Sequence, residues 1–187
     1  MNNIGGRKVR IKDITASIKK DGNLISTFPV QNYLQNQNDQ STLLFTPFSL
    51  HPSEEWAHII NLFNFFSRED ENEYRALEAN MIANFREKKN TSNPSSQALI
   101  EVDNNLVQPF QNFFNKHFIW NAGEYQLTVK ITTDNNKANI SKNYRLTIFE
   151  SHSAQLKEIT DNYKYGDGIW WNSNFPPKSI ILDIKEH

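Results

Sequence analysis

Histidines are the first residues of this 187-residue chain to consider for acid–base or metal chemistry. The five are His51, His58, His117, His152 and His187, and no two of them are two or four positions apart. A metal site would need His51 and His58 to converge with Glu54 or Glu55, and no spacing predicts that convergence. The absence of cysteine excludes thiol catalysis, disulfides and cysteine-ligated zinc. We therefore predict structural histidines, no metal ion and no cofactor.

Carboxylates could supply the pair that glycoside hydrolysis uses. The groups are Glu54 with Glu55, the run Glu69, Asp70 and Glu71, and Asp161 with Asp167. The run at 69–71 stands at a predicted helix start, where the helix dipole accounts for it. Hydrolysis needs two carboxyl groups held roughly 5–10 Å apart across a sugar, and nothing in the sequence sets such a distance. Structural or solvated roles are the main prediction, and a hydrolase of carbohydrate or cell-wall polymers stays open as an alternative.

The densest aromatic patch of the chain lies in residues 163–172. Its candidate contact residues are Tyr163, Tyr165, Trp170 and Trp171. One interpretation is a tight loop whose rings cover one end of the core. The other is an exposed surface that stacks on a sugar, a base or a peptide. In an extended chain, adjacent Trp170 and Trp171 point to opposite sides, so one could be buried while the other makes contact.

Charge and composition narrow the range of partners. Lys and Arg number 20 against 21 Asp and Glu, so the chain lacks the excess of cations that nucleic acids or anionic membranes attract. No apolar run approaches the roughly 20 residues that span a bilayer. Gly5-Gly6 before a strand pattern is typical of a linker, which predicts an upstream anchor or export signal and a place outside the cytoplasm. A protein or a carbohydrate is then the expected partner, and a homo-oligomer stays open.

Alternating apolar residues predict most of the chain's strands. The predicted strands are 9–18 at a sheet edge, 24–28 ending at Pro29, 55–66 as a central strand covered on both faces, 98–102, 123–132, 144–149 and 180–184. Asp21-Gly22-Asn23 predicts a tight turn between the first two strands. The polar stretch 31–41 predicts a loop.

Three helices interrupt these strands. They are predicted near 68–89, 105–117 and 152–162. The first has the clearest signals, because Ser67 and Asp70 are spaced as a capping box and apolar residues follow at helical intervals. Five phenylalanines are predicted to be buried: Phe63, Phe65, Phe66, Phe113 and Phe114. We predict a single domain over 1–187, mainly β with these helices inserted.

The segment from Phe118 to Val129 resembles the penultimate strand of bacterial immunoglobulin-like β-sandwich domains, in which a Gly-x-Tyr step leads into an alternating strand. The resemblance implies an antiparallel β-sandwich. Tyr125 would hold a tyrosine corner in it, and Trp56 would lie between the sheets. It implies no activity.

The sequence contains no nucleophile elbow and no phosphate-binding loop. A non-catalytic binding or protein-interaction domain is therefore the leading prediction of function. A carbohydrate- or cell-wall-active hydrolase and a structural assembly subunit are the alternatives.

Overall fold

The computed structural model of the chain describes residues 1–36, 38–91, 99–167, 169, 175 and 179–186. Contacts divide the chain into two compact units. The first, called the β unit below, comprises Met1–Phe65, Gly123–Thr147 and Leu182–His187. The second, called the helical unit, comprises Phe66–Ala122 and Ile148–Ile181. Whether 1–187 is a single domain stays a prediction. None of the helices within the described ranges is long and apolar enough to cross a membrane.

An antiparallel sheet of eight strands is the framework of the chain. The strands are β1 (Val9–Lys20), β2 (Asn23–Leu34), β3 (Leu43–Leu44), β4 (Phe48–Leu50), β5 (Ile59–Leu62), β6 (Gly123–Thr133), β7 (Ile140–Ile148) and β8 (Lys185–Glu186). The main order is β3-β2-β1-β6-β7-β8, with β4 paired to β1 and β5 paired to β2. Together with the three α-helices of the described residues this gives a mixed α/β architecture.

The hairpin of β1 and β2 forms as its turn residues predict. Asp21 and Gly22 both have positive φ, at 50° and 77°, which suits the right-handed twist of a two-residue hairpin. The prediction of an edge strand at 9–18 is wrong, because β1 pairs with β2 and β4 as well as β6. A register shift in the pairing with β6 falls between Ile11 and Asp13 and leaves both Ile11 and Ile14 buried.

Strand β2 continues through Pro29, where it was expected to end, and into residues that were predicted to form a loop. Pro29 is the last residue of β2 paired to β1, and pairing to β5 begins at Val30. A proline is tolerated there because the strand changes partners and one donor can be missing. The predicted loop at 31–41 is also wrong in its first part. Asn32 lies in β2, where its amide accepts a hydrogen bond of 2.6 Å from Asn61 on β5.

The predicted central strand at 55–66 is also wrong. Only Ile59–Leu62 forms a strand, and among the described strands it pairs with β2 alone. Ile60 packs against the core, whereas Ile59 stays 43% exposed. Apolar residues on both faces of this segment therefore do not indicate a central strand; they belong to a short strand with one described partner. The expected burial fails at Phe63, Phe65 and Phe66 as well, since all three side chains are exposed.

Strand β6 confirms the alternating pattern at 123–132, and β7 is its neighbour as predicted. Tyr125 is 1% exposed, directly opposite Lys20 of β1, whose ammonium lies 5.2 Å from the ring centroid. Gly123 has φ of 145°, and a Cβ there would come within 2.8 Å of the Lys20 Cε. Glycine at 123 therefore leaves room for the lysine stem.

The helical unit contains α1 (Arg68–Thr91), α2 (Asn104–His117) and α3 (Glu150–Lys157), which continues into a 3₁₀ helix over Glu158–Tyr165. The three predicted helices are thus present with slightly different bounds. At the start of α1 the Ser67 hydroxyl accepts the Asp70 backbone N–H at 3.1 Å, as the capping box predicted, and it also donates to the Asp70 carboxylate at 3.0 Å. The buried core comprises Met81, Val102, Val107, Phe110 and Tyr163.

Two predicted strands have no counterpart. Residues 99–102 form no strand, although Val102 is buried and its N–H donates to the Lys164 carbonyl at 2.8 Å; residue 98 lies outside the described residues. Residues 180–184 are also not a strand, and Ile181 is 94% exposed. A β-branched run becomes a strand only where a neighbour supplies hydrogen bonds, and here pairing with β7 is confined to Arg145 with Lys185 and Tyr144 with Glu186.

Candidate ligand-binding pocket

The first residues of the chain form one wall of a pocket in the β unit. Residues 1–3 run antiparallel to residues 53–56. The Asn3 N–H donates to the Glu54 carbonyl at 3.0 Å, and the Trp56 N–H donates to the Met1 carbonyl at 2.8 Å. The Met1 ammonium in turn donates to the Trp56 carbonyl at 2.9 Å. This pairing holds the segment against the sheet.

Asn3 then bends the chain into residues 4–7. Its side-chain amide is buried and donates to the carbonyls of Arg7 and Leu50, both at 2.9 Å. Its Oδ1 accepts the Gly5 N–H at 3.1 Å. A Cβ added to Gly6 would meet nothing within 4 Å, so the loop borders open space at that residue. The Gly5-Gly6 step, expected as a linker, is therefore part of an ordered bend.

The pocket behind this bend has a volume of about 580 Å³. That value falls within the range of roughly 300–1,000 Å³ typical of small-molecule sites. Its apolar lining comes from three separate parts of the chain: Met1, Ile4, Val9, Ile11, Leu50, Ala138 and Ile140. Ile11 and Leu50 are also core residues, so the pocket floor is continuous with the apolar interior of the β unit.

The buried polar side chains in the lining, Asn3 and Thr133, are hydrogen-bonded to the protein itself. Besides Asn3, the buried Thr133 donates its hydroxyl to the Asn135 carbonyl at 2.6 Å and accepts the Asn135 N–H at 3.2 Å. Arg7 is the lining residue with a charged side chain, and it is exposed. No carboxylate in the described ranges forms an ion pair with it.

The residue types of the lining limit what the pocket can do chemically. Of the described residues around the pocket, none is an aspartate, glutamate, histidine, lysine, serine or tyrosine. The Thr133 hydroxyl has no general base beside it in the lining and is held by the Asn135 backbone. The arrangement can remove apolar groups from water and can place one cation beside them.

A half-buried aromatic cluster lies next to the Met1 segment. Trp56 stacks on Phe48 with ring centroids 5.3 Å apart and meets Tyr33 and His58 edge-on at 5.5 and 4.8 Å. A register shift in β2 between Val30 and Asn32 places Tyr33 on the same face as Val30. Trp56 packs against the core of Ile11, Ile14, Val30 and Leu50, and its predicted place between two sheets stays a prediction.

The predicted contact residues at 163–171 are not brought together on a described surface. Tyr163 is 5% exposed and meets Phe110 edge-to-face at 4.9 Å, and burial raises the pKa of its hydroxyl. Tyr165 is half-buried and donates a hydrogen bond of 2.7 Å to Glu101. Tyr163 is thus core and offers no surface, whereas Trp170 and Trp171 lie outside the described residues. A contact role for the two tryptophans stays a prediction.

Histidines and carboxylates do not assemble into a metal site within the described part of the chain. The backbone N–H of His51 donates to the Glu54 carboxylate at 2.7 Å. The His58 ring packs against the rings of Tyr33 and Trp56. Asp167 is buried and accepts a hydrogen bond of 3.4 Å from Asn162, while Asp161 is exposed. The two aspartates therefore stand in different environments.

The carboxylates of the helical unit hold its chain segments together. Asp70 accepts hydrogen bonds from Lys116 at 2.8 Å and from Ser67, and these bonds lower the pKa of its carboxyl. Lys88 pairs with Asp103 at 2.5 Å and lowers the pKa of that carboxyl in the same way. These contacts join α1 to α2 and to the residue that caps α2.

Comparison with known proteins finds no matching family model, no matching curated sequence and no matching solved structure. The pocket therefore has to be interpreted from its own residues. Sequence reasoning missed it because its walls come from residues 1–11, 50 and 133–140. The one local signal was the pair of glycines at 5 and 6.

Proposed function

We propose that the chain is a non-catalytic binding domain whose ligand occupies the pocket of the β unit. The observation that carries the proposal is an aliphatic cavity of about 580 Å³ whose buried polar side chains are satisfied by the protein. Burying apolar ligand surface there contributes about 25 cal/mol per Å². Because Asn3 and Thr133 are already hydrogen-bonded, an apolar ligand leaves no buried polar group of either side chain unpaired.

The experiment measures binding of N-phenyl-1-naphthylamine, a neutral apolar dye whose fluorescence rises away from water. We expect saturable binding with one site per chain. Ala138 is half-buried in the lining, and the variant Ala138→Phe fills the pocket with a larger side chain. It should weaken dye binding by about tenfold or more, equivalent to about 1.4 kcal/mol.

The matched control is Ala76→Phe, which places the same side chain on an exposed position of α1. It should leave the dye affinity unchanged. Ile140→Trp narrows the pocket from β7 and serves as a second variant should Ala138→Phe fold poorly, which circular dichroism would show. The proposal fails if the dye does not saturate, or if the pocket variants and the control bind it equally.

The finer fold and the location of the domain belong to the same proposal. Tyr125, buried at the start of β6 two residues after Gly123, supports an immunoglobulin-like sandwich. Core contacts support it as well, because Trp56 and Ile60 pack against the same cluster as Val129 and Ile131 of β6. A place outside the cytoplasm, with an anchor or export signal upstream, stays part of the proposal, and fractionation of cells that express the full reading frame would test it.

A further inference from the structure

We infer that the ligand of the β-unit pocket is an amphiphile with an apolar body and one negatively charged end, such as a medium-chain carboxylate. The inference rests on the proposed function, since it names the ligand class for the same pocket. It is carried by the contrast between the aliphatic lining and the exposed guanidinium of Arg7, which belongs to that lining.

The charges near Arg7 favour an anion. Three of the four residues at 7–10 are cations: Arg7, Lys8 and Arg10. The carboxylates of Asp134 and Glu54, which come shortly after the lining residues Thr133 and Leu50, already accept hydrogen bonds from backbone N–H groups. Asp134 accepts the Arg10 N–H at 3.0 Å, and Glu54 accepts the His51 N–H at 2.7 Å. A ligand carboxylate at Arg7 would therefore meet a guanidinium that no described carboxylate neutralises.

The two parts of the site assign different roles to the two ends of the ligand. The apolar body fills the volume between Ile11, Leu50 and Ile140 and supplies most of the affinity. The charged end stays at Arg7 in contact with water, because Arg7 is exposed. An exposed ion pair contributes at most about 1 kcal/mol, so charge should set preference among ligands of equal length.

The test compares three probes that each carry a ten-carbon chain as competitors of the dye: decanoate, decanol and decyltrimethylammonium. Decanoate should compete about fivefold better than decanol. Arg7→Gln should abolish that difference, and 0.5 M sodium chloride should reduce it in the unaltered chain because salt screens an exposed pair. The matched control, Lys8→Gln, removes the same charge from a residue outside the lining and should keep the difference.

The outcomes separate this inference from the proposed function. If none of the probes displaces the dye from a folded chain, the pocket is not a site for apolar ligands and both fail. If decanoate and decanol compete equally, or if decanoate keeps its advantage in Arg7→Gln, the anionic preference is overturned while the proposed function stands. Stronger competition by decyltrimethylammonium overturns it in the same way.

Discussion

The two units of the chain use their polar side chains differently. In the helical unit, the described carboxylates of Asp70, Asp103 and Glu101 are each bonded to a lysine, and Glu101 also accepts the Tyr165 hydroxyl. In the β unit, the buried polar side chains Asn3 and Thr133 shape a cavity. Paired charges thus join chain segments in the helical unit, whereas in the β unit an open apolar volume lies beside the exposed Arg7, which forms no ion pair with a described carboxylate.

The substitution with the largest expected effect on stability is Tyr163→Ala, in the core of the helical unit. Tyr163 is buried against Phe110 and Phe114, with ring centroids 4.9 and 6.0 Å away. Removing such a ring should lower the free energy of unfolding by about 3–5 kcal/mol. Urea denaturation followed by the helical circular dichroism signal measures it.

Tyr165→Ala is the control for that substitution. Tyr165 is half-buried and its hydroxyl bonds to Glu101, so the loss should be about 1 kcal/mol. If Tyr165→Ala cost as much as Tyr163→Ala, the assignment of Tyr163 to the core and Tyr165 to the surface would be wrong.

Gly123→Ala and Gly6→Ala compare how a tightly packed part and an open part of the β unit tolerate an added side chain. The first substitution forces a side chain onto φ of 145° and against the Lys20 stem, so it should destabilise the chain by about 1–3 kcal/mol. Gly6→Ala is the matched control in the pocket loop, where a Cβ meets nothing within 4 Å, and it should leave stability nearly unchanged. Thermal denaturation of both variants measures the difference, and equal losses would contradict it.

Asp70→Asn tests the ion pair between Asp70 and Lys116, and it should change stability less than Tyr163→Ala or Gly123→Ala does. The pKa of Asp70 is lowered below its ordinary value of 3.8, first by the Lys116 hydrogen bond. Its contribution to stability is therefore full above that value and is lost as the pH falls through the lower pKa of the folded chain. We expect Asp70→Asn to reduce the difference between the urea midpoints at pH 6 and pH 2.5.

Asp161→Asn is the control for this pH dependence, because Asp161 is exposed and forms no ion pair within the described part of the chain. It should leave the difference between the two midpoints unchanged. An identical response of the two variants would show that the Lys116 contact contributes nothing to stability.

Helices were predictable because their signals are local. The capping box of Ser67 and Asp70 and the apolar spacing through Tyr74, Leu77 and Met81 lie within one continuous segment. Strand bounds were less predictable because pairing is decided by distant partners. Nothing near Pro29 in the sequence reveals that β2 changes from β1 to β5 at that point.

The candidate site could not be predicted for two physical reasons. Aromatic density does not distinguish a surface from a core, so Tyr163, which is buried, was a candidate for a contact surface as well as for a loop that covers the core. The pocket is aliphatic, and its walls meet only after Val9 pairs with Leu50 and the turn after β6 folds back beside them. No short stretch of sequence carries that information.

Mapping decanoate binding by amide chemical shifts in the ¹⁵N-labelled chain tests the central claim most directly. The account predicts that the largest shifts fall at residues 4–11, at Leu50 and at 133–140, and that they saturate together. Shifts centred on the helical unit, or spread over the chain without saturation, would contradict it.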